Sequence, residues 1–325
     1  MSKIKVHSSF AKLKFLLLKY RSVFVIYDGN VREYVDKIAP GSPAMAITAD
    51  EGHKTIETVM KICRWLLDQK AGRDALLLAV GGGVTTDLVG FAAGIYKRGI
   101  RYANVPTSLL AMVDAGIGGK TGVNVDDFKN MLGVIRQPEF CYICTPVLKT
   151  LPESELISGA AELIKTFIIK NEKGRYETAV KVLSNPFDEQ ALSPLIEAAA
   201  NIKSKIVRKD PEEKGIRRVL NLGHTYGHAI EWWQRRNNVM VPYTHGEAVA
   251  AGIVRAAVKS EEDGIAVPGL AQRLREDLRC CGLPVEMPCS ESDIEEALAQ
   301  DKKTYGGKLN FVYIKEIGKV VVKKI

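Results

Sequence analysis

The sequence predicts an α/β fold in which a mostly parallel sheet domain, residues 1–150, precedes a mainly α-helical domain, residues 151–325. Three observations carry that expectation. Ala75 to Val80 is a continuous apolar run, as a strand covered on both faces requires, and it leads straight into Gly81-Gly82-Gly83 and a helical stretch. Tyr102 to Val105 follows as a second short strand-like run, so strand, glycine turn, helix and strand make a βαβ unit. Beyond about Thr150 the alternation stops and helical periodicity takes over.

The elements follow in order. Val23 to Tyr27 is rich in β-branched and aromatic residues and ends at the turn signal Asp28-Gly29-Asn30. Thr55 to Asp68 sets Ile56, Val59, Met60, Cys63, Leu66 and Leu67 at helical spacing. Val84 to Tyr96 continues from the glycines as a helix. In the second half, residues 153–170, 192–207, 225–234, 246–263 and 270–281 read as helices. The strand signal returns only in Leu309 to Ile314 and Lys319 to Val322, with Gly318 between them. No internal repeat, low-complexity tract or long linker is visible.

Composition narrows the function classes. With 46% hydrophobic and 26% charged residues the chain is too apolar for a disordered protein. The balance of 46 basic against 38 acidic residues, +8, suits an anionic small molecule, nucleic acid or a membrane surface. No aromatic or basic stripe accompanies it, so nucleic acid is not an expected partner. No apolar run approaches the ~20 residues that span a bilayer. Phe15-Leu16-Leu17-Leu18 is broken at once by Lys19, without the core or cleavage site of a signal peptide. Six cysteines are scattered, and Cys141-x-x-Cys144 has no second Cys or His pair to complete a zinc site. These features predict a reduced, cytoplasmic protein with no membrane partner.

The motifs are individually ambiguous. Gly81-Gly82-Gly83, where a strand meets a helix amino terminus, lets backbone approach a phosphate. A tight turn makes the same demand, and the G-x-G-x-x-G pattern fails at Thr86. Asp28 at a strand end suits a ribose hydroxyl or an ordinary turn. Gly118-Gly119-Lys120-Thr121 looks like the end of a P-loop, but Asp114 stands where the pattern needs glycine. His224 and His228 are four residues apart on a helix and share a face. The H-E-x-x-H pattern fails at Thr225. Two histidines and a carboxylate suit a catalytic zinc with open positions, and Glu162 and Glu247 are candidate carboxylates. Helix-face or core histidines explain the same residues equally well. Lys120, Lys129, Lys165, Lys203 and Arg217, with Asn130 and Asn221, cluster in a few loops, as a pocket for a multiply anionic ligand would require. Taken singly, each reads as a solvated charge.

Taken in order, the motifs are specific. They run Gly81-Gly82-Gly83-Val84, Asp87-Leu88, Gly90-Phe91, Tyr96-Lys97-Arg98-Gly99 and Pro106-Thr107-Ser108-Leu109-Leu110. Asp114, Gly118-Gly119-Lys120-Thr121-Gly122-Val123-Asn124 and Lys129-Asn130 follow. Then come Leu151-Pro152-Glu153, the run from Gly159 to Lys165, the run from Asn221 to Glu231, and His245-Gly246-Glu247. From about Val23 to Gly318 the chain resembles the 3-dehydroquinate synthase family of sugar-phosphate cyclases.

The resemblance implies a Rossmann-like amino-terminal domain with NAD bound by Asp28, Asn30, Glu51, Lys54, Gly81, Gly82, Asp87, Thr107, Ser108, Asp114, Lys129, Thr150 and Leu151. It implies zinc, or cobalt, on Glu162, His224 and His245, with His228 as a substrate or proton-relay residue. Lys120, Asn130, Lys165, Lys203, Arg217 and Asn221 would hold the substrate's phosphate and carboxylate. Arg98 would reach the neighbouring site of a homodimer. The implied reaction turns 3-deoxy-D-arabino-heptulosonate 7-phosphate into 3-dehydroquinate and phosphate in the shikimate pathway, and another NAD- and zinc-dependent cyclase is the alternative. The chain departs from the family pattern at Thr86 (often Gly), Ser154 (often Arg) and Asn310 (basic), with Lys308 as a substitute for the last. The segment between His228 and His245, with Trp232, Trp233, Arg235 and Arg236, reads as a loop extension.

Overall fold

A computed structural model describes residues 3–126, 128–304 and 309–325. Lys308 lies outside the described residues. The backbone forms two compact units, Met1–Leu151 and Pro152–Ile325.

In chain order the first unit contains β1 (Lys3–His7), α1 (Ala11–Leu17), β2 (Val23–Asp28), α2 (Arg32–Ile38), β3 (Ala44–Ile47) and α3 (Ile56–Asp68). It continues with β4 (Leu76–Gly81), α4 (Gly83–Ile95), β5 (Arg101–Pro106), β6 (Lys120–Val125), β7 (Phe128–Ile135) and β8 (Phe140–Cys144). Six strands make a parallel sheet in the order β1-β8-β5-β4-β2-β3. Every residue of β4 is buried, which is why its sequence is apolar without alternation. Helix α3 lays Val59, Ile62, Cys63 and Leu66 into the same core as Phe24, Ile26, Leu77 and Ala79. Its amino end is capped by Thr55, whose hydroxyl accepts from the Thr58 N–H.

Strands β6 and β7 form a separate antiparallel hairpin. Gly118-Gly119-Lys120-Thr121 opens that hairpin, with the Arg136 N–H donating to the Gly119 carbonyl at 2.7 Å. The hairpin escapes sequence inspection because its outward side chains Phe128, Met131, Leu132 and Ile135 are exposed, so its pattern is not that of a half-buried strand. Cys141 and Cys144 are buried in β8, and none of the six cysteines forms a disulfide. Burial pushes the Cys141 thiol up to about 12, so it stays protonated and inert.

The second unit contains α5 (Glu153–Ile169), α6 (Arg175–Leu183), α7 (Glu189–Lys209), α8 (His224–Arg236), α9 (His245–Glu262), α10 (Leu270–Cys280), α11 (Glu295–Thr304) and the antiparallel pair β9 (Asn310–Glu316) and β10 (Lys319–Lys324). The expected loop extension is corrected here. Trp232, Trp233, Arg235 and Arg236 occupy the last turns of α8, with the Arg236 guanidinium 5.1 Å from the Trp232 ring centre. Only residues 237–244 form the connection. Among the described residues no helix is long and apolar enough to cross a membrane.

Helix α9 approaches its neighbours through glycine. A Cβ on Gly246 would stand 1.9 Å from the Ser158 carbonyl oxygen on α5, and one on Gly252 would stand 2.2 Å from the Gly223 carbonyl oxygen at the start of α8. Thr244 and Glu247 close a capping box at its amino end, with the Glu247 carboxylate accepting the Thr244 N–H at 2.7 Å. That contact takes up one of the two candidate carboxylates. Gly246→Ala is expected to cost about 1–3 kcal/mol, because the contacting atom is backbone and cannot rotate away. Thermal denaturation should show a melting temperature lower by roughly 2–10 °C, and an unchanged value would refute the close α5–α9 approach.

Candidate active site

The second unit gathers its chemistry around one carboxylate. Glu162, in the middle of α5, is 0% exposed, and the ammonium of Lys165, one turn on and 1% exposed, lies 2.5 Å from its Oε2. His224 is the first residue of α8; its Nδ1 faces the Leu222 carbonyl at 3.1 Å and its Nε2 lies 3.6 Å from Glu162 Oε1. His245 is the first residue of α9; its Nδ1 faces Glu231 Oε1 at 3.4 Å and its Nε2 lies 3.7 Å from the same Glu162 oxygen. In both rings an acceptor therefore claims the Nδ1–H, which leaves Nε2 as the nitrogen that faces Glu162 and would meet a metal, on His245 after loss of its second proton. The three residues offer ligand atoms within 4.8 Å of one another. Glu162 Oε1 faces both imidazole Nε2 atoms from beyond hydrogen-bond reach, at 3.6 and 3.7 Å. Two imidazole lone pairs, a carboxylate and open positions fit zinc or a similar divalent ion.

Electrostatics define the charge state of this cluster. Burial opposes ionisation of Glu162, but Lys165 first and then His245 hold its carboxyl well below the usual range. Burial and the Lys165 charge push His224 down to about 3, so it is neutral. Burial also opposes a charge on His245, yet Glu231 and Glu162 outweigh it and raise the group to about 10. His228 is exposed on the same face of α8, its ring centre 5.1 Å from that of His224 and 6.2 Å from that of His245.

A second cluster lies in the segment between α7 and α8. The Asp210 carboxylate accepts the N–H groups of Lys214, Gly215 and Arg217 at 3.0, 2.7 and 3.0 Å, closing the segment into a tight loop. Within it Glu213, at φ 59°, accepts from the Asn221 side chain at 2.7 Å and lies 3.6 Å from the buried Arg217 Nε. Arg217 also donates to the Pro211 carbonyl at 2.6 Å. Glu213 thus brings Arg217 and Asn221 together, a role invisible in the sequence because an acidic residue in a polar loop reads as solvated. Lys203 is buried on α7. Asn310 accepts from Arg218 at 3.2 Å, so a guanidinium reaches this position although its own side chain is neutral.

The first unit places a glycine turn at the amino end of α4. A Cβ on Gly81 would collide with Thr85 at 2.3 Å, and Gly82 caps α4 with no side chain to occupy the first-turn N–H groups. Thr107 donates its N–H to the Gly81 carbonyl at 3.0 Å, and Ser108 Oγ sits opposite Gly82. Thr86 donates its hydroxyl back to the Gly83 carbonyl at 2.9 Å. Lys54 is buried, 2.6 Å from Asp87 and 2.7 Å from the Asn130 side chain. Asn130, at φ 56°, donates its N–H to Asn124 Oδ1 at 2.9 Å. Asn124 donates on to Glu51 at 3.0 Å, and Lys129 lies 3.5 Å from Glu51. Lys54, Asp87, Asn130, Glu51 and Lys129 are therefore neighbours, and Asn124, absent from the residues first singled out for cofactor or substrate, links them.

The remaining residues are more dispersed. Asp28 accepts from the Asn30 N–H at 3.0 Å, and Thr150 shares a hydrogen bond with the Tyr34 hydroxyl at 3.2 Å. Asp114 and Leu151 are half-buried, Lys120 is exposed at the start of β6, and Ser154 is exposed in the first turn of α5. Arg98 is exposed at φ 66° in the turn after α4.

Comparison with known proteins places these features in a family. The family model for the 3-dehydroquinate synthase N-terminal region matches residues 44–158, and that for the C-terminal region matches residues 159–304. The 3-dehydroquinate synthase of Dictyoglomus turgidum (strain DSM 6724 / Z-1310) is 38% identical over 311 residues, covering 94% of this chain and 85% of the relative. That of Vibrio atlanticus (strain LGP32) is 37% identical over 311 residues, covering 94% and 84%. The solved 2-epi-5-epi-valiolone synthase of Streptomyces hygroscopicus subsp. jinggangensis 5008, with NAD+ and Zn2+ bound, is 26% identical with a TM-score of 0.88, covering 100% of this chain and 93% of that one.

The protonation pattern has a measurable sign. A divalent ion must displace the proton from His245, whereas His224 carries none to lose. Metal affinity should therefore rise by up to about tenfold per pH unit below about pH 10, with close to one proton released per ion. Calorimetry in buffers of different ionisation enthalpy reads that number directly; zero protons released would remove the charge assignment to His245.

Proposed function

The chain belongs to the 3-dehydroquinate synthase family, and we infer that it converts 3-deoxy-D-arabino-heptulosonate 7-phosphate to 3-dehydroquinate and phosphate, as a lyase that uses NAD without consuming it. The observation that carries this reading is the convergence of the His224 and His245 Nε2 atoms on Glu162 in a chain that matches the family over most of its length. When bound, NAD supplies reversible hydride transfer and zinc, or cobalt, supplies Lewis acidity at Glu162, His224 and His245.

The chain's own residues bind, orient and neutralise. The first-turn N–H groups of α4 behind Gly81 and Gly82 would seat the NAD pyrophosphate, with Asp87, Thr107 and Ser108 beside them. Asp28, Asn30, Glu51, Lys54, Asp114, Lys129, Thr150 and Leu151 would complete the cofactor contacts. Lys203, Arg217 and Asn221 would hold anionic groups of the substrate, with Glu213 aiming the guanidinium and the amide. Lys120, Asn130 and Lys165 would complete that set, and His228 would hold or pass a proton at its ring nitrogen. Holding the phosphate and carboxylate ends of a flexible polyanion lowers the orientational entropy lost in reaching the reacting geometry. We also propose a homodimer to which Arg98 contributes from its exposed turn, and a place in the shikimate pathway. A cytoplasmic location is supported by six cysteines without a disulfide.

The decisive assay follows phosphate release with catalytic NAD and zinc, coupled to a dehydratase that consumes 3-dehydroquinate. Phosphate and dehydroquinate should form in equal amounts with no net NADH. Absence of release while NAD and metal bind would transfer the reading to a sister cyclase. Glu162→Ala or His224→Ala should lose metal and turnover together, and stoichiometric metal in either would refute the ligand set. Lys120→Ala should lower kcat about 100-fold or more with NAD affinity unchanged; parental turnover would remove Lys120 from the substrate site.

A further inference from the structure

Glu231 belongs to neither the ligand set nor the substrate set. It stands on α8 seven residues after His224 and three after His228, and so on the face that those histidines share. Its side chain is 7% exposed, and Oε1 lies 3.4 Å from His245 Nδ1 across the α8–α9 contact. The other nitrogen of that ring faces Glu162 at 3.7 Å. Carboxylate, imidazole and ligand carboxylate are therefore in series. His224 is arranged differently, because its Nδ1 meets only the neutral carbonyl of Leu222.

We propose that Glu231 is a positioning residue for the metal site: it accepts the Nδ1–H of His245, fixes the tautomer that presents Nε2, and strengthens that nitrogen as a ligand through its negative charge. The inference deepens the metal reading above and rests on it. The two histidines become unequal partners, one braced by a full charge and the other by a peptide dipole. A carboxylate in this place costs desolvation, which an apolar residue packed between α8 and α9 would avoid. The position is fixed by backbone, since α8 and α9 approach closely at Gly223 and Gly252.

The test compares metal binding by the full-length parent, Glu231→Ala, Glu231→Gln and Glu162→Ala after metal removal. Zinc affinity is read by competition with a chromophoric chelator, and the site is viewed through the visible absorption of added cobalt. Glu231→Ala should weaken zinc binding by about 10–100-fold and shift the cobalt bands. Glu231→Gln, which keeps an acceptor without the charge, should lose less, while NAD affinity stays at the parental value in both. A purely structural role would lower thermal stability and leave the cobalt spectrum of the folded protein unchanged. Zinc affinity within twofold of the parent and an unshifted spectrum in the glutamine variant would overturn the proposal, even if the alanine variant failed to fold. If Glu162→Ala loses the ion while both Glu231 variants keep it, the metal reading survives and only the positioning role falls. A parent that binds no divalent ion would overturn both.

Discussion

Glu162 carries a carboxylate into the fully closed centre of the helical unit, and the surrounding helices answer its charge. An isolated charge there would cost several kcal/mol. Lys165 answers from the same helix, His245 answers from α9, and His224 brings a lone pair from α8 without adding a charge. These answers require backbones nearer than side chains normally permit. The glycines at 246 and 252 and the histidines at 224 and 245 are thus parts of one constraint: small residues let the helices meet, and the meeting places the nitrogens.

Much of the scaffold was legible in the sequence. The apolar run of β4, the glycine turn and the spacing of α3 report burial directly, since an element covered on one or both faces has a periodic requirement. The short edge strands β1 and β3 and the β6–β7 hairpin were not legible, because exposed or mixed faces impose no such period. In the site, His224 and His228 were visible as a pair, but spacing left the choice between Glu162 and Glu247 open and only the family resemblance pointed to Glu162. Spacing cannot show that Glu247 is occupied by a cap, nor that α5 brings Glu162 against two helices far along the chain. Glu213 and Glu231 were missed for a related reason: each acts on a neighbour brought close by a turn or a crossing, and an acidic residue carries no signal of what it faces.

The first unit applies the same logic to polar groups rather than to a metal set. Lys54 is buried only because Asp87 cancels its charge and Asn130 accepts from it. Asn130 in turn adopts a left-handed backbone that few residues other than glycine and asparagine tolerate, and Asn124 holds it there. The Asn130 amide is therefore held from two sides, by the Lys54 ammonium and by Asn124, so its orientation is set before any ligand arrives.

The pairing of Glu162 with Lys165 also bears on how the protein acquires its metal. Many metal sites have carboxylates and thiolates that repel one another until the ion arrives, so that folding must wait for loading. Here a resident ammonium and a protonated His245 stand in as countercharge, and the buried carboxylate is compensated from the moment α5 docks. A carboxylate compensated in this way does not depend on an ion for its countercharge, and an ion held by Glu162, His224 and His245 would take the place of a proton on His245.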